Sequence, residues 1–145
     1  MMVERVVSAT AELSEALRRL IPQLTDNHPP PGPAFLEALL NGDSSVLLIA
    51  RHPDESGGIV GVGCLGIYRV PTGVRAVIED VVVDEGSRGL GLGEALIKGL
   101  MDEARQLGAH GVSLTSNPRR IAANRLYLRM GFSLRQTNSY YFEFT

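Results

Sequence analysis

The sequence predicts a single mixed α/β domain over residues 1–145, with a central mixed sheet of about six to seven strands flanked by about four helices. Three observations predict it. A chain of 145 residues is the size of one ordinary domain with one core. Short β-branched runs interleave with stretches whose apolar residues recur at helical spacing, so strands and helices alternate along the chain. The stretch Ile78 to Leu96 reads as a strand, a glycine-rich turn and a helix, the arrangement around which an α/β domain places a ligand.

From the start, Val3 to Val7 is the first expected strand, and Ser8 or Thr10 caps a helix running to about Leu20 with Leu13 and Leu17 on its apolar stripe. The run Asp26 to Pro33, with its clustered prolines, cannot continue that helix and is a loop that borders a substrate. A short helix over Ala34 to Leu40 stops at Asn41-Gly42, read as a left-handed end. Strands follow at Ser45 to Arg51, at Ile59 to Val70 and up to Val83, forming an antiparallel meander in which Gly61, Gly63 and Gly66 permit bulges or close packing. Leu92, Leu96, Leu100, Ala104 and Leu107 lie on one face of the longest helix, which Gly108 ends. Gly111 to Thr115 is the next strand, a parallel neighbour of the one ending at Val83, since a whole helix separates them. Asn117-Pro118 opens a helix over Arg119 to Met130, stopped at Gly131. Phe132 to Arg135 and Tyr140 to Phe144 read as a closing hairpin. Tyr140, Phe142 and Phe144 alternate there, either packing the core or supporting a homodimer.

Composition excludes several classes. With 44% apolar and 21% charged residues and no apolar run long enough to cross a bilayer, the chain is expected to be soluble, with no membrane partner. Its start lacks the basic and apolar regions of a secretory signal, so the cytoplasm is the expected compartment. A net charge of −2 with no basic tract argues against a nucleic-acid partner. Cys64, the single cysteine, excludes an intrachain disulfide and a thiolate metal cluster, and it reads as a small buried strand residue. His28, His52 and His110 show no ligand-like spacing, so no metal is expected.

The glycine turn is a phosphate cradle in physical terms. The first N–H groups of the helix have no intrahelical partner and sit at the positive end of its dipole, and Arg88 adds a fixed charge. Neither nucleotide fingerprint is satisfied. The dinucleotide pattern begun at Gly89 needs a glycine where Glu94 stands, and GxxxxGK[ST] occurs nowhere.

Arg88-Gly89-Leu90-Gly91-Leu92-Gly93 resembles the R/Q-x-x-G-x-G/A signature of the GNAT superfamily of acyl-CoA N-acyltransferases. Ile78 to Val83 resembles the family's central strand, and Ala123 to Phe132 its A-N-x-L-Y-x-x-x-G-F segment. The likeness covers almost the whole chain, the first third in pattern only. It implies a GNAT-like fold, acetyl-CoA as cosubstrate and a small-molecule amine as acceptor, Ile78-Glu79-Asp80 resembling most the branch that acetylates amines such as amino sugar phosphates. It further implies that main-chain groups of Val81 and Val83 pair with the pantetheine arm, and that amides from Arg88 through Gly89, Leu90, Gly91, Leu92, Gly93 and Glu94 take the pyrophosphate. Val82, Asn117, Asn124 and Tyr127 complete the implied cofactor set, Tyr127 being also the implied acid facing the sulfur. Arg119 and Arg120 either meet the remaining phosphate or coat a helix, the second being favoured.

A phenol at Tyr127 suits the chemistry, because coenzyme A leaves as a thiolate that a positioned hydroxyl protonates. For the base, Glu79 is the first choice, with Asp80 and His28 as alternatives. In a regular strand Asp80 points away from Glu79, and a bulge, frequent in this family at that strand, lets either acid face the cleft. Together these residues imply direct acetyl transfer to a primary amine. A peptide or protein amine and a non-catalytic acyl-CoA-binding module stay open beside it. A nucleotide-binding interaction domain is disfavoured by the two failed fingerprints.

Overall fold

The computed structural model describes residues 2–145, which divide into two compact units, one running to Leu114 and one spanning Thr115–Thr145. The first is built on an antiparallel sheet of four strands in sequence order, β1 (Met2–Arg5), β2 (Ser45–His52), β3 (Gly58–Val70) and β4 (Gly73–Val83). Helices α1 (Ala11–Leu24) and α2 (Pro33–Asn41) lie between β1 and β2, and α3 (Leu92–Gln106) follows β4. No helix among the described residues is long and apolar enough to cross a membrane.

Local chemistry explains the boundaries. Thr10 has extended backbone and its Oγ1 accepts from the Leu13 N–H at 3.1 Å, satisfying one of the donors that open α1. Pro22 falls in the last turn of α1, and Pro29 to Pro31 rule out any restart before Gly32. Arg51, on β2, donates to Glu4 on β1 at 3.1 Å, to Glu12 on α1 at 2.7 Å and to the Gly57 carbonyl at 3.0 Å, tying three elements together. The hydrogen bond from Arg51 holds the Glu12 carboxyl below the usual carboxylate range.

The two faces of the sheet carry different helices. Val62 and Val82 join Leu13, Leu17, Leu20 and Leu36 in one buried cluster beneath α1 and α2. Gly61 and Gly63, on the opposite face of β3, lie against Leu96 and Leu100 of α3. A Cβ at Gly63 would meet Leu100 Cδ1 at 3.0 Å, closer than side chains normally pack. Gly63→Val is therefore expected to destabilise the fold by roughly 1–3 kcal/mol through overpacking, read as a lower urea midpoint at unchanged slope. An unchanged midpoint would show that α3 yields freely there.

Several expectations need correction. Among the described residues the sheet has four strands rather than six to seven. Residues 111–115 contribute a single parallel bridge, Val77 to Ser113, with Ile78 N donating to Ser113 O at 2.8 Å and Ser113 N to Ala76 O at 3.1 Å. The orientation is the expected parallel one, but the pairing is one residue long. The expected closing hairpin forms no strands, and Leu134, Tyr140, Phe142 and Phe144 are exposed. Alternation marks a segment able to form a strand and cannot supply the ladder that satisfies its backbone. Gly42 has φ of −82°, so α2 ends in extended backbone and not in a left-handed turn.

The second unit holds α4 (Ile121–Arg129), which begins later than Asn117-Pro118 suggested. Asn117 instead closes a local turn, its Oδ1 accepting from Arg119 N at 2.9 Å and its carbonyl from Arg120 N at 3.0 Å. Gly131, with φ of 98°, stops the helix as expected.

Candidate active site

The end of β4 is irregular where the sequence places its acids. Val62 faces Val82 while Cys64 faces Glu79, so β4 carries one residue more than β3 between these pairs. The extra residue sits beside Asp80, whose φ of 40° is a left-handed value rare outside glycine, asparagine and aspartate. Paired residues share a sheet face, so Glu79 lies on the side of Cys64, and the bulge brings Asp80 to that side as well. Two consecutive acids thus stand on the face covered by α1 and α2.

The same extra residue changes which backbone groups look outward. Before it, Ile78 N and Ala76 O bond outward to Ser113; after it, Asp84 N turns inward to Val60 O at 2.7 Å. Val81 and Val83 then present their N–H and C=O groups to the outer edge, where among the described residues no strand pairs with Glu79 to Val83. The Val83 carbonyl is met by Arg88 Nε at 3.1 Å, which folds that exposed side chain back along the strand end. The Val82 side chain is buried in the cluster beneath α1 and α2.

A short 3-10 turn, Glu85–Ser87, leads to Gly89 and Gly91, both with φ of 81°. That backbone is open to glycine and strained for any β-branched residue. Gly91 is the residue before α3, and no side chain caps the helix there. The amides of Leu92, Gly93 and Glu94 therefore head a helix dipole next to exposed Arg88, Gly89 and Leu90.

The turn is held from α1, a feature the sequence reading missed. Arg19 donates to Asp84 Oδ2 at 2.6 Å and to the Ile59 carbonyl at 2.9 Å. Gln23 donates to Asp84 Oδ1 at 3.3 Å and accepts from Glu85 N at 2.9 Å. Partners this far apart in sequence leave no spacing signal. The proline-rich loop between α1 and α2 lines a cavity of about 520 Å³ beneath those helices, on which Asp80, Cys64 and His28 open and Glu79 does not. Burial, and then the nearby Asp80 and Glu79, push the Cys64 thiol up to about 11, so it stays neutral and is no nucleophile at physiological pH.

In the second unit Asn124 Nδ2 donates to Asn117 O at 3.0 Å and to Arg120 O at 2.7 Å, bringing those two site candidates together as a clasp on the start of α4. Tyr127 is half-buried, its ring edge-on to Phe132 at 5.9 Å between centroids. Arg119 and Arg120 are exposed. Among the described residues no group of three or more His, Cys, Asp or Glu gathers where it could hold a metal ion.

Comparison with known proteins bears on this arrangement. The profile described as the acetyltransferase (GNAT) family matches residues 12–132. The chain belongs to the GNAT acetyltransferase family. A GNAT relative from Oryza sativa subsp. japonica, described as a probable glucosamine 6-phosphate N-acetyltransferase 2, is 35% identical over 102 residues, 68% of this chain and 60% of that protein. An L-methionine sulfoximine/L-methionine sulfone acetyltransferase of Salmonella typhimurium is 33% identical over 82 residues, 56% of this chain and 48% of that protein. The chain thus spans roughly half to three fifths of the length of these relatives. The crystal structure of glucosamine-6-phosphate N-acetyltransferase from Arabidopsis thaliana superposes with a TM-score of 0.78 at 25% identity, covering 99% of this chain and 100% of that one.

Proposed function

We propose that this GNAT chain is an acetyl-CoA-dependent N-acetyltransferase that passes an acetyl group directly to the primary amine of a small molecule, residues 1–145 working as one functional domain. The observation that carries the reading is the junction of β4 and α3. Outward main-chain groups at Val81 and Val83 run into two left-handed glycines and an uncapped helix start. An extended arm with peptide-like groups can add to the open edge, and its pyrophosphate can take the amides of residues 92–94.

Acetyl-CoA supplies an activated acyl group. On this reading the chain's residues orient the amine and manage two protons. Glu79 takes a proton from the ammonium, directly or through water, freeing the lone pair that attacks the acetyl carbonyl carbon; Tyr127 gives a proton to sulfur as the carbon–sulfur bond breaks and is restored by the proton that the acylated nitrogen sheds. No covalent acyl-enzyme is required. Asn117 and Asn124 are proposed to hold the start of α4, and through it Tyr127, while contacting the cofactor.

The test is coenzyme A release across a panel of amines, with mass detection of the acetylated product. If the chain binds coenzyme A yet acetylates no amine, it is a binding module and the reading fails. Glu79→Gln is expected to slow transfer most for strongly basic amines and least for amines of low pKa, which are already neutral and need no base. An equal loss for every amine would move Glu79 from proton removal to binding or structure.

A further inference from the structure

The cavity beneath α1 and α2 has a composition that its relatives' substrates do not suit. Leu17 and Leu24 from α1, Phe35 and Leu39 from α2, and Pro30 between the helices belong to its largely apolar wall. No lysine or arginine lines it, and His28, in the loop between the helices, is its one imidazole. Pro33, at the first position of α2, also removes a donor that a helix start would otherwise offer to an anion. Among the described residues its one carboxylate is Asp80, lifted into it by the bulge in β4. The volume, about 520 Å³, lies in the range of small-molecule sites.

A phosphorylated or carboxylated amine placed here would lose its hydration against an apolar wall and face the like charge of Asp80. An ammonium on an apolar body is matched at both ends, since the carboxylate takes the charge and the wall takes the hydrocarbon. We propose that the cavity receives the acceptor as an alkyl- or arylalkylamine without an anionic group, and that Asp80 is the residue that selects its charge. This rests on the acetyl-transfer reading above for the word acceptor, and on the cavity alone for the ligand's chemistry. Cys64, held neutral, adds no competing charge to the wall.

The experiment separates the two. Binding of 3-phenylpropylamine, of the neutral 3-phenyl-1-propanol and of glucosamine 6-phosphate is measured by calorimetry on the full chain saturated with coenzyme A, and acetylation of the two amines is followed in parallel. The expected result is that 3-phenylpropylamine binds at least about tenfold more tightly than glucosamine 6-phosphate. Asp80→Asn, which keeps a residue tolerant of the left-handed backbone, should weaken the amine by roughly tenfold or more and leave the alcohol nearly unchanged. Phe35→Ala, at an exposed position on the cavity wall, should weaken both in parallel. Binding of phenylpropylamine without its acetylation would leave the cavity assignment standing and sink the transferase reading instead. Glucosamine 6-phosphate binding as tightly, neither amine binding, or an Asp80→Asn loss shared equally by amine and alcohol would each overturn the proposal.

Discussion

Tyr127→Phe should lower turnover by roughly a hundred- to ten-thousandfold while leaving acetyl-CoA affinity nearly intact, the range typical of a lost general acid. The substitution keeps the ring, and with it the edge-on contact to Phe132 at 5.9 Å, so the stability of α4 is not at issue. Only the hydroxyl goes. Single-turnover measurements are needed, because slow product release can hide a slower chemical step. Amines of low basicity should not rescue the variant, since protonating the leaving thiolate does not depend on how readily the amine loses its proton. A wild-type single-turnover rate would remove Tyr127 from the mechanism.

Gly91→Val should weaken coenzyme A by roughly ten- to a hundredfold, the scale of one or two lost hydrogen bonds to a charged group. Gly91 has φ of 81°, and a β-branched residue would pull the backbone away from that conformation, re-aiming the amides that follow it. No atom lies within 4 Å of a Cβ built there, so the first side-chain carbon has open space and the main expected cost to folding is backbone strain. Calorimetry with coenzyme A reads the affinity and thermal unfolding reads the fold. Unchanged affinity at the expected strain would mean that the anion sits elsewhere.

Much of this site was readable because its determinants are local. Gly89 and Gly91 signal left-handed backbone by their identity, Thr10 signals a cap, and the leucines of α3 signal a buried face by their spacing. The family segments around Arg88 and Tyr127 are likewise contiguous. What could not be read depends on partners distant in sequence. The Arg19 and Gln23 contacts to Asp84 and Glu85 have no spacing rule, and the cavity needs α1, α2 and β4 together. The bulge was anticipated as a possibility from family likeness, yet its position requires the register of β3 against β4. The C-terminal alternation failed for the complementary reason, since Tyr140 to Phe144 has strand character and no ladder among the described residues.

The open run of β4 from Glu79 to Val83 also bears on self-association. Unpaired strand backbone is a template on which another chain can add a strand, and sheets commonly guard such edges with charge and irregular geometry. Here the stretch begins with two adjacent acids and a bulge that breaks the regular spacing of donors and acceptors. A second copy approaching edge to edge would bring four carboxylates together over a mismatched ladder, whereas a narrow, flexible arm with few peptide-like groups needs only the short regular segment beyond the bulge. The irregularity proposed to admit a small ligand would thus also disfavour edge-to-edge association, and neutralising both acids is expected to remove the electrostatic half of that guard.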